Sequence, residues 1–225
     1  MNLVRPLLAA SAVLASATAA PAQAPAGRLT IARLQYDGGG DWYANPSSLP
    51  NLLAAIRATT SLEVADRDVT VTLASPALWD APYLYLTGHG NLRLSGREVA
   101  VLRRYLEAGG FLHADDNYGL DESFRREIAR VFPDRQLVDV PLEHPIYHLV
   151  HELPRGIPKI HEHDGKPAQG LGIFLGDRLA VFYSYQSDLG DGWEDPNVHD
   201  DPEAVRQAAL HLGVNLFAYA VTTAR

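Results

Sequence analysis

The apolar positions of this chain fall into short runs separated by helical spacings, most clearly between Tyr83 and Asn117. Tyr83–Thr87 is an apolar and aromatic run that predicts a buried strand, stopping at Gly88-His89-Gly90. Ser95 followed by Glu98 is a capping-box pattern, and Val99, Leu102 and Leu106 then recur at helical spacing. Gly109-Gly110 ends that helix where a left-handed cap is wanted. Phe111–Ala114 predicts a second strand, with Asp115-Asp116-Asn117 just past its apolar part. Polar residues thus stand at the C-terminal ends of both strands, the edge at which open α/β sheets bind ligands.

The flanking segments extend the pattern. Leu29–Tyr36 alternates apolar and polar residues and predicts the first strand; Leu49, Leu52, Leu53 and Ile56 mark an amphipathic helix, and Val69–Leu73 a further strand. Downstream, Phe124, Ile128 and Val131 share one face of a helix that Pro133 stops, and Leu137–Val140 is a short strand. Leu171–Leu175 and Arg178–Ser184 form a hairpin around Gly176-Asp177 by turn chemistry. Asp201 is expected to cap the last helix with Pro202 as its first residue, and Val205, Ala209, Leu212 and Leu216 face the core. The fold class expected is α/β, a three-layer sandwich around a mainly parallel central sheet.

The chain has 225 residues, 47% of them hydrophobic, which fits one domain of ordinary size. Its beginning differs from the rest. In residues 1–24 Arg5 is the only charge, Leu7–Ala20 is apolar and small, and Ala22-Gln23-Ala24 is an A-x-A cleavage pattern. A signal peptide over 1–24 is expected, leaving 25–225 as a single periplasmic or secreted domain with no stable membrane span. The absence of cysteine excludes disulfides and thiol chemistry. Cleavage would leave 18 basic against 27 acidic residues, a net charge of −9. With the basic residues scattered, nucleic acid is not an expected partner; a cation or a small polar ligand is, or an envelope protein.

The run YLEAGGFLHADD carries a resemblance. Strand, GxG, helix, L-x-x-Y-L-E-A-G-G and strand together resemble the core of class I glutamine amidotransferase-like, flavodoxin-like folds. Catalytic members place a cysteine on a sharp elbow after that last strand, and the position falls here on Asp115; the place of their histidine is taken by Tyr185-Gln186-Ser187-Asp188. The resemblance therefore implies the pocket without the glutaminase. A closer similarity is to the bacterial domain-of-unknown-function family 4159, through Y-D-G-G-G-D-W, T-G-H-G, H-A-D-D-N, L-E-H-P-I-Y-H and Y-S-Y-Q-S-D…G-W-E-D, which together span Leu29 to about Ala220.

Placement at strand ends gathers the candidate ligand residues Asp37, Gly39, Trp42, His89, Asp115, Asp116, Asn117, Asp188 and Trp193 around one crevice. The glycines at 38–40 allow positive φ and close approach of backbone to a ligand. Asp115 and Asp116, being successive on a strand, point to opposite faces; one is expected to cap a following helix and the other to face the crevice. A divalent metal is the cofactor this set admits, with His89, Asp115, His161 and His163 as candidate ligands. His144, His148 and His151 share a face if helical, with structural or surface roles expected; His113 and His211 are read as satisfied core histidines, and Trp193 as an exposed loop aromatic amid carboxylates. Two functions from different classes follow: a non-enzymatic binding or assembly module, or a carboxylate- or metal-dependent hydrolase in the same crevice. A purely structural envelope protein has less use for so many polar groups at strand ends.

Overall fold

The computed structural model describes residues 28–223, so the expected signal peptide lies outside the described residues. Seven strands form one mixed sheet: β1 (Ile31–Leu34), β2 (Val69–Val71), β3 (Tyr83–Leu86), β4 (Phe111–Asp115), β5 (Val138–Asp139), β6 (Gln169–Leu175) and β7 (Arg178–Tyr185). Their order across the sheet is β2-β1-β3-β4-β7-β6-β5. The first five in that order are parallel, while β6 runs antiparallel to both β7 and β5. The hairpin read from Gly176-Asp177 joins β6 to β7, with Gly176 in the left-handed region at φ 63°. The sheet is α/β and open.

Helices cover both faces, because alternate strand residues feed two separate cores. Leu84 and Leu86 of β3 pack with α2 (Gly96–Glu107) and α3 (Asp121–Val131) through Leu102, Leu106, Phe124 and Ile128. Tyr83 and Tyr85 turn to the other face, against α1 (Ser48–Thr59) and α6 (Glu203–Thr223). The expected capping box is present at α2: Ser95 accepts from the Glu98 amide while Glu98 accepts from the Ser95 amide. Two short helices, α4 (Leu189–Trp193) and α5 (Pro196–His199), bridge β7 to α6. No helix among the described residues is long and apolar enough to cross a membrane.

Three expectations are corrected here. Asp201 does not cap α6, because its carboxylate accepts from His161 at 3.2 Å; the Pro202 carbonyl takes the first amides, Val205 and Arg206, so Pro202 precedes the helix. The segment with His144, His148 and His151 is not an α-helix but a single tight turn at Pro145–Tyr147, since Asn215 of α6 claims the Val150 and His151 amides. His211 is not in the core: it is half-buried and stacks on His151 with ring centroids 3.9 Å apart.

His113 is the satisfied core histidine that its strand position implied. Burial holds its pKa down to about 3, so the ring is neutral. The Tyr83 hydroxyl meets Nδ1 at 2.7 Å, and Nε2 meets the Ser184 hydroxyl at 2.9 Å. Ser184 in turn donates to Asp115 Oδ1 at 2.5 Å, completing a chain of hydrogen bonds from β3 through β4 to β7 and back. Tyr83→Phe removes one partner and leaves a buried nitrogen unsatisfied, at a cost of about 1–3 kcal/mol. A lower denaturant midpoint with unchanged slope is the expected readout; an unchanged midpoint would show that the chain does not contribute to stability.

Candidate functional site

The candidate residues separate into two groups in space. At the ends of β1 and β3 the glycine run is spent on packing the protein against itself. The Gly40 amide bonds to the Asn91 carbonyl, and a Cβ added at Gly40 would meet the Tyr36 hydroxyl at 2.7 Å and the His89 carbonyl at 2.8 Å. The expected approach of a ligand to this backbone is therefore replaced by an approach of two loops. His89 pairs with Asp41, Nδ1 to Oδ2 at 3.0 Å, and its amide also donates to that carboxylate. Asp37 is exposed and bridges Arg93, Gly39 faces open space, and Trp42 packs edge-on against Tyr43. Among the described residues no hydrogen bond or ion pair joins Asp37, Gly39, Trp42 or His89 to the second group. Asp37 alone of these contributes to a separate cavity of about 850 Å³, lined also by Asn91, Arg93, Arg126 and Arg130.

The second group stands beyond the ends of β4 and β7, and Asp115 is its foundation. The expected division between Asp115 and Asp116 holds, since the two lie on opposite faces, but neither is open to a crevice. Asp115 is fully buried, with all four acceptor directions taken: Oδ1 by Ser184 and the Leu189 amide (3.1 Å), Oδ2 by the Tyr85 hydroxyl (3.1 Å) and the Gly190 amide (2.7 Å). It caps a helix, as one of the pair was expected to, but that helix is α4, far along the chain. This occupancy removes Asp115 from the metal and ligand candidates. Burial lifts its pKa to about 6 against the pull of those donors. Asp116 is buried on the α2–α3 face with neither carboxylate oxygen hydrogen-bonded, and burial pushes its pKa up.

Above Asp115, α4 and its flanks carry three more carboxylates. Asp188 is 1% exposed, sits in the left-handed region at φ 58°, and brings Oδ2 to 2.5 Å from His163 Nε2, while Oδ1 has no partner. Asp191 Oδ1 accepts from Asn45 at 2.6 Å and from Asn117 at 3.3 Å, leaving Oδ2 to face His161 Nδ1 at 2.9 Å and His199 Nε2 at 3.9 Å. Asp201 Oδ1 faces the other nitrogen of His161, and its Oδ2 is unpartnered. The histidine-bearing loop is held in place by the Ile160 amide on the Ser187 carbonyl (2.9 Å) and the Ser187 hydroxyl on the Pro158 carbonyl (2.6 Å). His163 also stacks on Tyr118 at 4.6 Å.

Of the candidates read from the sequence, the structure brings Asn117, Asp188, His161 and His163 together at this cluster and places Trp193 in the core. That side chain is fully buried, donates Nε1–H to the Ala209 carbonyl at 2.8 Å, and packs against Tyr85 and His113; it is core and cannot stack on a ligand. The cluster also takes in His199 and Asn45, which the sequence pattern does not single out, Asp191, one of the carboxylates around Trp193, and Asp201, expected as a helix cap. The available signal was the density of Asp and His in residues 188–201, which outruns what a surface loop needs. The left-handed non-glycine residues described are Asn45, Tyr118, Gln186, Asp188 and Asp200; each belongs to the site or adjoins one of its residues.

The fold and this cluster define an α/β domain with a carboxylate–histidine centre at the C-terminal ends of its parallel strands. The chain belongs to the family described as domain of unknown function (DUF4159), whose model matches residues 30–221. A search of the curated proteins found no match to it.

Burial first, then the nearby Asp115, Asp191 and Asp116, push the pKa of Asp188 up to about 9. An acid whose folded-state pKa exceeds its unfolded value contributes stability that is complete below the unfolded value and lost as pH rises through the folded one. For Asp188 that window runs from 3.8 to about 9. In chelator-treated buffer the melting temperature is therefore expected to fall from pH 6 to pH 9, and Asp188→Asn to flatten the fall and raise the alkaline melting temperature. Identical pH profiles for wild type and variant would show that Asp188 carries no such burden.

Proposed function

We propose that this domain is an exported, non-glutaminase binding module whose ligand is positively charged and is received at the carboxylate–histidine centre. The observation that carries the reading is the lack of compensation. Asp188, Asp191 and Asp201 converge with only histidines as ionic partners, and among the described residues no lysine or arginine forms an ion pair with any of them. Buried carboxylates without cationic partners destabilise a fold, so the arrangement is intelligible when a bound cation offsets it. Left-handed backbone at Asn45 and Asp188 supports the same reading, because such conformations persist where surrounding structure over-determines them at functional sites.

Within this proposal the fold is read as flavodoxin-like, degenerate with respect to amidotransferases. The order β2-β1-β3-β4-β7 of the parallel strands supports that reading, matching the 2-1-3-4-5 winding of flavodoxin-like sheets. The mature chain is read as starting near Pro25. An intact mass of the native protein that retains residues 1–24 would overturn export.

A second reading, a hydrolase working through carboxylates or metal at the same place, draws on His163, whose Nε2 is held by Asp188. Ring nitrogens held by carboxylates are how a general base is oriented. The nearby Ser184 and Ser187 hydroxyls are committed to Asp115 and Pro158, so the nucleophile in this reading is water.

The binding reading is tested by melting the full chain at matched ionic strength with spermidine and divalent chlorides on one side and citrate and phosphate on the other. At least one of the cations is expected to raise the melting temperature by about 5 °C at a hundredfold excess over its Kd, and the anions to leave it unchanged. Equal responses to cations and anions would overturn the proposal.

A further inference from the structure

We infer that His161, Asp191 and His199 form a binding site for one divalent first-row transition ion of zinc type, with Asp188 as the fourth donor. The inference rests on the cation-binding reading above and names the cation. One donor atom from each of the three residues lies within 4.8 Å of the other two, close enough for small side-chain rotations to bring all three onto a single ion. Two imidazoles and carboxylate oxygen, without thiolate, form a donor set suited to zinc and its neighbours rather than to calcium or magnesium, which take oxygen cages.

What distinguishes this group from a chance meeting of polar side chains is how its outer atoms are held. His161 turns Nε2 to Asp201 at 3.2 Å, which leaves Nδ1 directed at Asp191. Asp191 has Oδ1 fixed by the amides of Asn45 and Asn117, which leaves Oδ2 directed at both histidines. Carboxylate behind histidine and amide behind carboxylate are the supports that orient metal ligands and set their basicity.

Two buried oxygens, Asp188 Oδ1 and Asp201 Oδ2, have no partner at all, on side chains only 1% and 9% exposed. The other oxygen of Asp188, Oδ2, which meets His163 Nε2, lies 3.9 Å from His161 Nδ1, so a small rotation brings this carboxylate to an ion held there. The cost of leaving Asp188 Oδ1 unsatisfied is offset when an ion draws that carboxylate in. His89, offered by sequence position as a ligand, stands in the other group of residues, at the ends of β1 and β3, and Asp115 is excluded by its four donors.

The experiment uses the purified full chain, stripped with chelator and dialysed against zinc chloride, with bound zinc counted by mass spectrometry and melting followed in parallel. One zinc per chain is expected, with a higher melting temperature that calcium chloride does not reproduce. His199 is exposed, so His199→Ala is expected to lower zinc affinity at least tenfold while the zinc-free melting temperature stays put. Asp201→Asn keeps every ligand and is expected to lower affinity by roughly 10- to 100-fold, as loss of an outer carboxylate does. His148→Ala, away from the cluster, is expected to bind as wild type. Zinc binding undiminished in both His199→Ala and Asp201→Asn would overturn the site. Stabilisation by spermidine without zinc binding would overturn the metal assignment alone, and loss of both responses would remove the cation-binding reading with it.

Discussion

Asp115 is the interaction on which the rest of this structure depends. A carboxylate without access to water survives there because four donors organise around it. Tyr85 and Ser184 come from the strands on either side, and the Leu189 and Gly190 amides come from the first turn of α4. His113 and Tyr83 continue the line of hydrogen bonds into the hydrophobic core. The partial positive charge at the start of a helix is a natural partner for such an anion. The same contact fixes where α4 begins, and so where Asp188 and Asp191 stand. A structural carboxylate in the sheet thereby positions the open-faced carboxylates above it.

This arrangement explains why the centre lies over β4 and β7 rather than over the switch point between β1 and β3, where winding alone puts the crevice of such sheets. The loops after β1 and β3 close on each other around the Tyr36 hydroxyl, which donates to the Thr87 carbonyl at 3.0 Å. Gly40 and Gly88 permit that closure, because a side chain at either would strike Tyr36. The switch point is filled by protein, and the carboxylate–histidine centre stands two strands along.

Much of the scaffold was legible because periodicity and turn chemistry act locally. The Ser95–Glu98 box, the Gly176-Asp177 hairpin and the two-faced alternation of β3 follow from residues a few positions apart. The site was only partly legible. Asn117, Asp188, His161 and His163 stood out as polar residues beside strand ends or in a histidine-rich loop. Trp193 misled because its flanking acids mark it as surface, whereas the tight turn of α4 swings the ring inward to Ala209. Asp201 misled because a local rule, helix capping, competed with a partner 40 residues away, His161, and lost. Pairings of that kind are set by tertiary packing, which a window of neighbouring residues does not contain.

The long reach of the Asp115–Gly190 contact, 75 residues, has a consequence for biosynthesis. Parallel strands β4 and β7 must be aligned before that contact exists, and β7 ends only at Tyr185. A nascent chain that has delivered β1 to β4 holds Asp115 as a carboxylate still waiting for its helix. The aspartates and histidines of the centre therefore remain apart until synthesis has passed Asp201. Non-local parallel pairing is slow to form. Assembly of the centre thus waits on residues far along the chain from β4, and a truncation that removes α4 leaves the buried Asp115 carboxylate with only Tyr85 and Ser184 to receive it.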